Sequence, residues 1–376
     1  MKEPLPSSTR IAIVGAGFAG AATAWALGRL GLGPGVILEQ EIGYGMHASG
    51  KNAALLRLAE ADPIVLPLSL LSFDRIRRFS REAEEPLFQE TGGLTLAGSD
   101  AAARLEHEHR ALRDAGLMTF LLSSAEARER FPLLAGVDFA AALWCPSEGV
   151  VDIHALLTRF VHDARETGFR LFTECAAEAL VTEAGRVAGV RTNRGEIRAE
   201  LVVDASGAWA GRLGRATTPL PLRPLRRHLF VSGAPYGDLT DLPFAWHEDA
   251  AFYFRPEGDG LLFSPCDETP AAPGEAVTDP AAAELLAEKL TRHAPGFADL
   301  PLKRSWACLR TFAPDRKPVI GPDPDRPGLF HVSGLGGFGM TTSAAVGELA
   351  AALITGNRAD WIDLSMVLPR RLTEES

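Results

Sequence analysis

Six residues near the amino terminus have the types and spacing to hold a phosphate. Gly15-Ala16-Gly17-Phe18-Ala19-Gly20 directly follows the apolar run Ile11-Ala12-Ile13-Val14 and stands where a helix would open. Gly15 permits a tight turn, Gly17 lets the backbone approach a pyrophosphate, and Gly20 lets helix and strand pack closely. The phosphates would rest on the helix N-terminus, where free N–H groups and the dipole favour negative charge. Glu39 ends the next apolar run, nineteen residues after Gly20, where a carboxylate can accept both hydroxyls of a ribose. The acid disfavours a 2′-phosphate and hence NADP. Gly15, Gly17, Ala19, Gly20 and Glu39 are therefore expected to touch a dinucleotide.

The fingerprint alone does not separate NAD from FAD, but three further segments do. In the first, His47, Ser49, Lys51, Asn52, Ala53 and Ala54 combine hydroxyl, cation, amide and small residues soon after Glu39. The second places Ala205, Gly207 and Trp209 after the apolar run that ends at Asp204. The third is a glycine loop, Gly334, Gly336, Gly337 and Gly339 with Met340 and Thr341, that opens the last helix. That helix start could aim its positive end at a flavin pyrimidine ring and stabilise the anion formed on reduction. Four such segments on one long cofactor favour FAD. His47 is expected to touch the flavin or its ribityl chain, or to cap a turn, and is not assigned as a base.

These segments need elements to position them. Residues 10–40 read as one strand–helix–strand unit, and helices are expected at about 65–84, from Asp100 to about 115, and after Asp152 as N-cap. Short strands fill 170–204 with a hairpin at Ala184-Gly185. Antiparallel strands follow over 222–264, broken at Pro235, Pro243 and Pro256. A helix is expected at about 279–292, a strand at 328–332 and a last helix at about 342–354. The class is α/β: a discontinuous, Rossmann-like FAD-binding domain (residues 1–85, 146–218 and 318–376) into which an antiparallel-sheet α+β substrate domain (86–145 and 219–317) is inserted.

Composition narrows the partners. The chain has 376 residues and a net charge of −10 without a basic stripe, which argues against nucleic acid. Its 37 Gly and 26 Pro show no repeat, so they serve turns and close backbone approach rather than linkers. No stretch approaches the ~18 apolar residues of a membrane span, and the first ten residues do not read as a signal peptide. The four cysteines, 145, 175, 266 and 308, form no CxxC, so neither a metal site nor a disulfide framework is expected. A reduced, cytoplasmic protein is the expectation.

The segments, in this order, resemble the D-amino acid oxidase family of FAD-dependent amine oxidoreductases. The likeness runs from about residue 11 to 371 and is nearest to the bacterial D-arginine and D-amino acid dehydrogenases. Beyond the glycine fingerprint it is carried by Ala53-Ala54, Arg226-Arg227, Ala251-Phe252-Tyr253, Trp306-Ala307-Cys308-Leu309-Arg310-Thr311-Phe312, the 336–345 loop and Pro369-Arg370-Arg371-Leu372. It implies hydride transfer from an amine-bearing carbon to flavin N5, giving an imine that water hydrolyses to an oxo acid. Arg226 and Arg310 would grip the substrate carboxylate, since guanidinium matches that anion bidentately. Tyr253 would add its hydroxyl. Each has a plainer reading: Arg226 as part of a solvated basic face with Arg223 and Arg227, Tyr253 as a core aromatic with a wet tip. Arg310 lies amid apolar strand residues, where a buried cation needs an anion.

The resemblance also has gaps. Leu55 and Glu60 stand where the D-arginine enzymes carry a histidine and a tyrosine, so arginine is not carried over as substrate. Leu262 replaces the lysine that helps oxygen react in sarcosine oxidase, which points towards a dehydrogenase with a quinone-like acceptor; oxygen stays the other option. Cys308 falls where sarcosine oxidase holds its flavin covalently, so such a link is considered beside a plain buried thiol. Two other functions stay open: an FAD-dependent 2-hydroxy acid dehydrogenase, and a flavin-binding electron-transfer subunit with no substrate of its own.

Overall fold

The apolar run at residues 11–14 is buried on both sides, as a central parallel strand requires. A computed structural model describes residues 3–213, 220–233, 239 and 242–373. In it Ser8–Val14 lies between Gly35–Leu38 and Gly195–Asp204, all parallel, with Phe169–Phe172 beyond the first and Leu329–Ser333 beyond the second. The hairpin Ala177–Glu183 and Arg186–Thr192 and the strand Val319–Pro322 complete an eight-stranded sheet. Its turn at Ala184 and Gly185 has φ of 47° and 80°, the left-handed pair that suits a two-residue hairpin.

The helix Phe18–Arg29 packs against both Ile153–Glu166 and Ser343–Ile354. Trp25, Phe79 and Phe160 meet edge to face there, their ring centroids 5.2–5.6 Å apart. A Cβ on Gly347 would run into the backbone of Ala22. The two helices therefore cross backbone to backbone, which fixes where the last helix begins. Asp152 caps Ile153–Glu166 by accepting from the N–H groups of His154 and Ala155, as expected.

The second sheet has nine strands. Its long pair is Arg223–Ser232 with Leu302–Phe312, antiparallel over almost their whole length. Gly260–Ser264, Phe252–Glu257 and Phe244–His247 follow, then Gly93–Ala97, Ala141–Cys145 and Phe120–Ser123, and the short Thr269–Pro270 pairs with the start of Arg223–Ser232. The sheet is mixed rather than purely antiparallel, because Phe244–His247 joins Gly93–Ala97 in parallel where the two chain segments meet. Pro256 does not break a strand: it lies inside Phe252–Glu257, one residue before the hairpin. Pro243 directly precedes Phe244–His247, and Pro235 lies outside the described residues.

Strands of the first sheet come only from the three segments expected to bind the dinucleotide, and those of the second only from the other two. We propose the domain division of the sequence on that membership, its boundary at 218 falling outside the described residues. A third, three-stranded sheet of Leu55–Leu56, Gly149–Val151 and Phe88–Gln89 draws on both. Among the described residues no helix is long and apolar enough to cross a membrane.

Candidate functional site

At the C-terminal ends of the parallel strands the turns after Val14, Leu38, Asp204 and Val332 all open into one cavity of about 860 Å³, where α/β sheets place ligands. Gly15, Gly17, Ala19 and Glu39 line it. Gly15 has φ +101°, and a Cβ there would lie 2.5 Å from the Ala205 carbonyl oxygen, so only glycine allows the turn. Gly20 does not line the cavity. A side chain on it would strike the Gly15 carbonyl, so it serves the close helix–strand approach. The carboxylate of Glu39 accepts from the N–H groups of Ala16 (2.9 Å) and Glu41 (3.0 Å), which holds it at the cavity wall.

The segment after Glu39 is clamped from both sides. Asn52 folds back, donating to Ala48 and Ser49 carbonyls and accepting from Ala54 N–H, and Ala54 takes φ +63°. Trp306 Nε1 donates to the Lys51 carbonyl at 2.9 Å and Arg255 Nε to that of Ala53 at 2.8 Å. The second sheet thus fixes a loop whose His47, Ser49, Lys51, Asn52, Ala53 and Ala54 all line the cavity. His47 is itself held by Glu41 at 2.9 Å and lies against Trp209. Ala205, Gly207, Trp209, Gly334, Gly336, Gly337, Gly339, Met340 and Thr341 line the same space, and the last helix starts two residues beyond Thr341. The backbone cradle, the acid at the first strand pair and the two helix starts at Gly17 and Thr342, where Ser49 Oγ and Ser72 Oγ each take one first-turn N–H, fit a long dinucleotide.

At the far end stand the cations. Arg310 and Tyr253 line the cavity, but Arg226 does not. Its guanidinium meets Asp279 at 3.4 Å, on the opposite face of the strand. Successive side chains alternate across a strand, and it is Arg227 that shares the cavity face with Cys308 opposite it and Arg310 diagonally beyond. Of the two neighbouring arginines it is thus Arg227, and not Arg226, that the fold brings to the cavity beside Arg310. Arg227 is 4% exposed, its Nε donating to the Asp267 carbonyl at 3.0 Å. Asp267 is pinned in turn by His228, which donates Nδ1–H at 2.7 Å while its Nε2 accepts from Asp279 N–H. Arg310 Nη1 rests on Gly337, where a Cβ would sit 2.6 Å away, so the flavin-side loop and the cation touch because that residue lacks a side chain.

A second wall contains Glu60, singled out in the sequence, among residues that the sequence did not mark. Arg57, Glu60, Trp246 and Glu248 line the cavity beside Tyr253. Tyr253 stacks on Trp246 at 4.9 Å and 14°, and the Arg57 guanidinium lies over the same indole at 4.7 Å. Arg57 pairs with Glu248 at 2.6 Å and Glu60 at 3.3 Å. Behind it Glu148, fully buried, accepts from Leu58 and Ala59 N–H and so holds the 55–60 segment in place. Burial pushes the carboxyls of Glu148 and Glu108 up to about 7, against the pull of Arg57. Burial also raises the Tyr253 phenol well above its ordinary range and the Cys308 thiol to about 12.

The nucleotide cradle and the cationic far end define a flavin-type oxidoreductase scaffold with room for a small anion at its end. The family model for DAO, FAD dependent oxidoreductase, matches residues 10–353, and the chain belongs to this family. FAD is its cofactor. The chain is 30% identical to mitochondrial sarcosine dehydrogenase of Homo sapiens over 380 residues, which covers 94% of the chain and 40% of that protein. It thus spans about two fifths of the length of that relative. It is 28% identical to glycine oxidase of Geobacillus kaustophilus, covering 92% of each. The crystal structure of L-proline dehydrogenase from P. horikoshii superimposes with a TM-score of 0.88 over 99% of this chain and all of that one, and at 23% identity this likeness is one of fold.

Proposed function

We propose that the chain oxidises an amino acid, either a D-amino acid or one substituted on nitrogen, by removing the α-hydrogen as hydride. FAD, when bound, supplies the hydride acceptor at N5. Arg227 and Arg310 hold the substrate carboxylate and Tyr253 stands beside it, so that the α-carbon faces the glycine loop at 336–339. The product is an imine, which water hydrolyses to an oxo acid and ammonia or an amine. One observation carries the reading. Arg227, Arg310 and Arg316 converge on one end of the cavity, where the single carboxylate of Glu268 is their shared partner. Three guanidinium groups on one carboxylate leave a net positive charge that calls for an anionic ligand. The sarcosine and glycine for which the two curated relatives are named support an amino acid as that ligand.

The narrower readings rest on single positions. Leu262, fully buried in the cluster with Tyr253 and Cys308, supports a dehydrogenase over an oxidase. Leu55 and Glu60 both line the cavity, and Glu60 is tied to Arg57, which does not favour D-arginine as substrate. A thiol as protonated as that of Cys308 favours non-covalent FAD, and a tryptic map carrying a flavin-bearing Cys308 peptide would reverse that. All four cysteines are free, which supports a reducing compartment such as the cytoplasm.

The test is anaerobic mixing of the holoprotein with panels of D-amino acids, N-methyl amino acids and 2-hydroxy acids while flavin absorbance is followed. Bleaching by amines is the expected result. Bleaching by hydroxy acids alone would replace the proposal with a 2-hydroxy acid dehydrogenase, and no bleaching at all with an electron-transfer subunit.

A further inference from the structure

The arginine end of the cavity already holds a carboxylate of its own. Glu268 Oε1 accepts from Arg310 Nη2 at 3.0 Å, Arg316 Nη2 at 2.8 Å and Arg227 Nη2 at 3.4 Å, and Oε2 accepts from Arg316 Nη1 at 3.1 Å. Its backbone cannot drift, because the neighbouring Asp267 is bound through both carboxylate oxygens to His228 and through its carbonyl to Arg227. Arg316 gives both terminal nitrogens to Glu268 and lies over Phe312 at 4.0 Å. All four of these charged groups line the cavity.

The donors that remain can be enumerated. Arg227 spends Nε on the Asp267 carbonyl and Nη2 on Glu268, leaving Nη1. Arg310 gives Nη2 to Glu268 and keeps Nη1, which lies against Gly337 with no hydrogen-bond partner among the described residues. Two guanidinium groups on diagonal neighbours of one sheet face, each with N–H donors to spare, match the two oxygens of a single carboxylate. A second carboxylate would find both terminal nitrogens of Arg316 taken and would meet the charge of Glu268 at close range.

We propose that Glu268 is a specificity-determining residue that restricts the site to amino acids with one carboxylate, by filling the third guanidinium of the cluster. The inference rests on the reading of this end as the substrate-carboxylate site. With Glu268 neutralised, Arg316 becomes free to receive a second carboxylate, and dicarboxylic amino acids gain access.

The experiment uses the FAD-loaded protein and two probes that need no turnover, benzoate with one carboxylate and phthalate with two, titrated against the flavin absorbance spectrum. Wild type is expected to bind benzoate at least tenfold more tightly than phthalate. In Glu268→Gln that ratio should fall at least tenfold, and adding Arg316→Ala to that variant should restore it. Taking the change in ratio cancels the difference in size between the probes. Glu268→Ser, at a position one-third exposed, gives the same reading should the glutamine variant fold poorly. A benzoate-to-phthalate ratio unchanged within twofold in either variant, or a wild type that binds both equally, overturns the proposal. Flavin bleaching by amino acids tests the parent reading separately, so failure of one is not failure of the other.

Discussion

Two walls of the same cavity are built from arginine and glutamate, and they are unbalanced in opposite senses. At the clamp, Arg227, Arg310 and Arg316 share one carboxylate, Glu268, and buried N–H donors are left over. At the other wall, Arg57 and Arg104 face Glu60, Glu108 and Glu248 with Glu148 behind, and acids are left over. Surplus positive charge is neutralised by an anion from outside, which is what a substrate carboxylate supplies on the function proposed above. Surplus acids can be satisfied by protons. On that reading the first imbalance serves binding; the second is a property of the folded chain, and it carries a pH dependence.

The largest expected effect belongs to the acid-rich wall. Arg57→Met keeps the bulk over Trp246 but leaves Glu248 buried without its closest partner, and should cost about 3–5 kcal/mol of stability, read as a fall in Tm. A Tm unchanged from wild type would show that the wall does not depend on its central cation. At the clamp, Arg310→Ala and Arg227→Ala should each weaken the transition from free to bound substrate by about 2–5 kcal/mol, visible as a KM raised roughly 30-fold or more in flavin-reduction kinetics. An arginine whose loss leaves KM within about twofold does not belong to the clamp.

Glu148→Gln sharpens the comparison through pH. Burial raises the carboxyl from an ordinary 4.5 to about 7, so the folded state binds the proton more strongly than the unfolded one. The stability this contributes is fully present below about 4.5 and is lost as pH rises through about 7. Glutamine keeps an acceptor for Leu58 and Ala59 N–H but cannot ionise. The variant should match wild type near pH 5 and exceed it by about 3 kcal/mol near pH 8, measured by denaturant unfolding at both. Equal slopes with pH would place the titration elsewhere. The smallest effect is expected from Arg226→Ala, whose half-buried pair with Asp279 faces away from the cavity and is worth at most about 1 kcal/mol. KM should not move, and a rise matching that of Arg227→Ala would put both faces of the strand in play.

The nucleotide end was legible in the sequence because its logic is local. A glycine turn, the helix it opens and the acid after the next strand follow one another along the chain, and each position in the fingerprint has one steric reason. The clamp was legible only to within one residue. Arg226 and Arg227 are neighbours on a strand whose two faces are both buried further along, with Leu229 and Val231 on one side and His228 and Phe230 on the other. Alternation says that they part company, but not which side meets the cofactor. Arg57, Trp246, Glu248, Glu268 and Arg316 were missed altogether, since they come from separate loops and strands and nothing near them in the chain marks them as neighbours. A signal did exist for Arg316: it lies six residues after Arg310, just past the strand carrying the recognised motif.

The run from His47 to Asp62 has a consequence for assembly. Its first half lines the cofactor's end of the cavity, its middle pairs in the small three-stranded sheet, and its last residues form the acid-rich wall and tether Lys317 through Asp62. On the proposed function, cofactor seat and substrate wall are one uninterrupted stretch of chain, with no linker in which one could vary while the other stays fixed. An insertion or deletion anywhere in that stretch would strike loading and selectivity together. A lineage changing its substrate through this wall must therefore do so by exchanging side chains, at constant length.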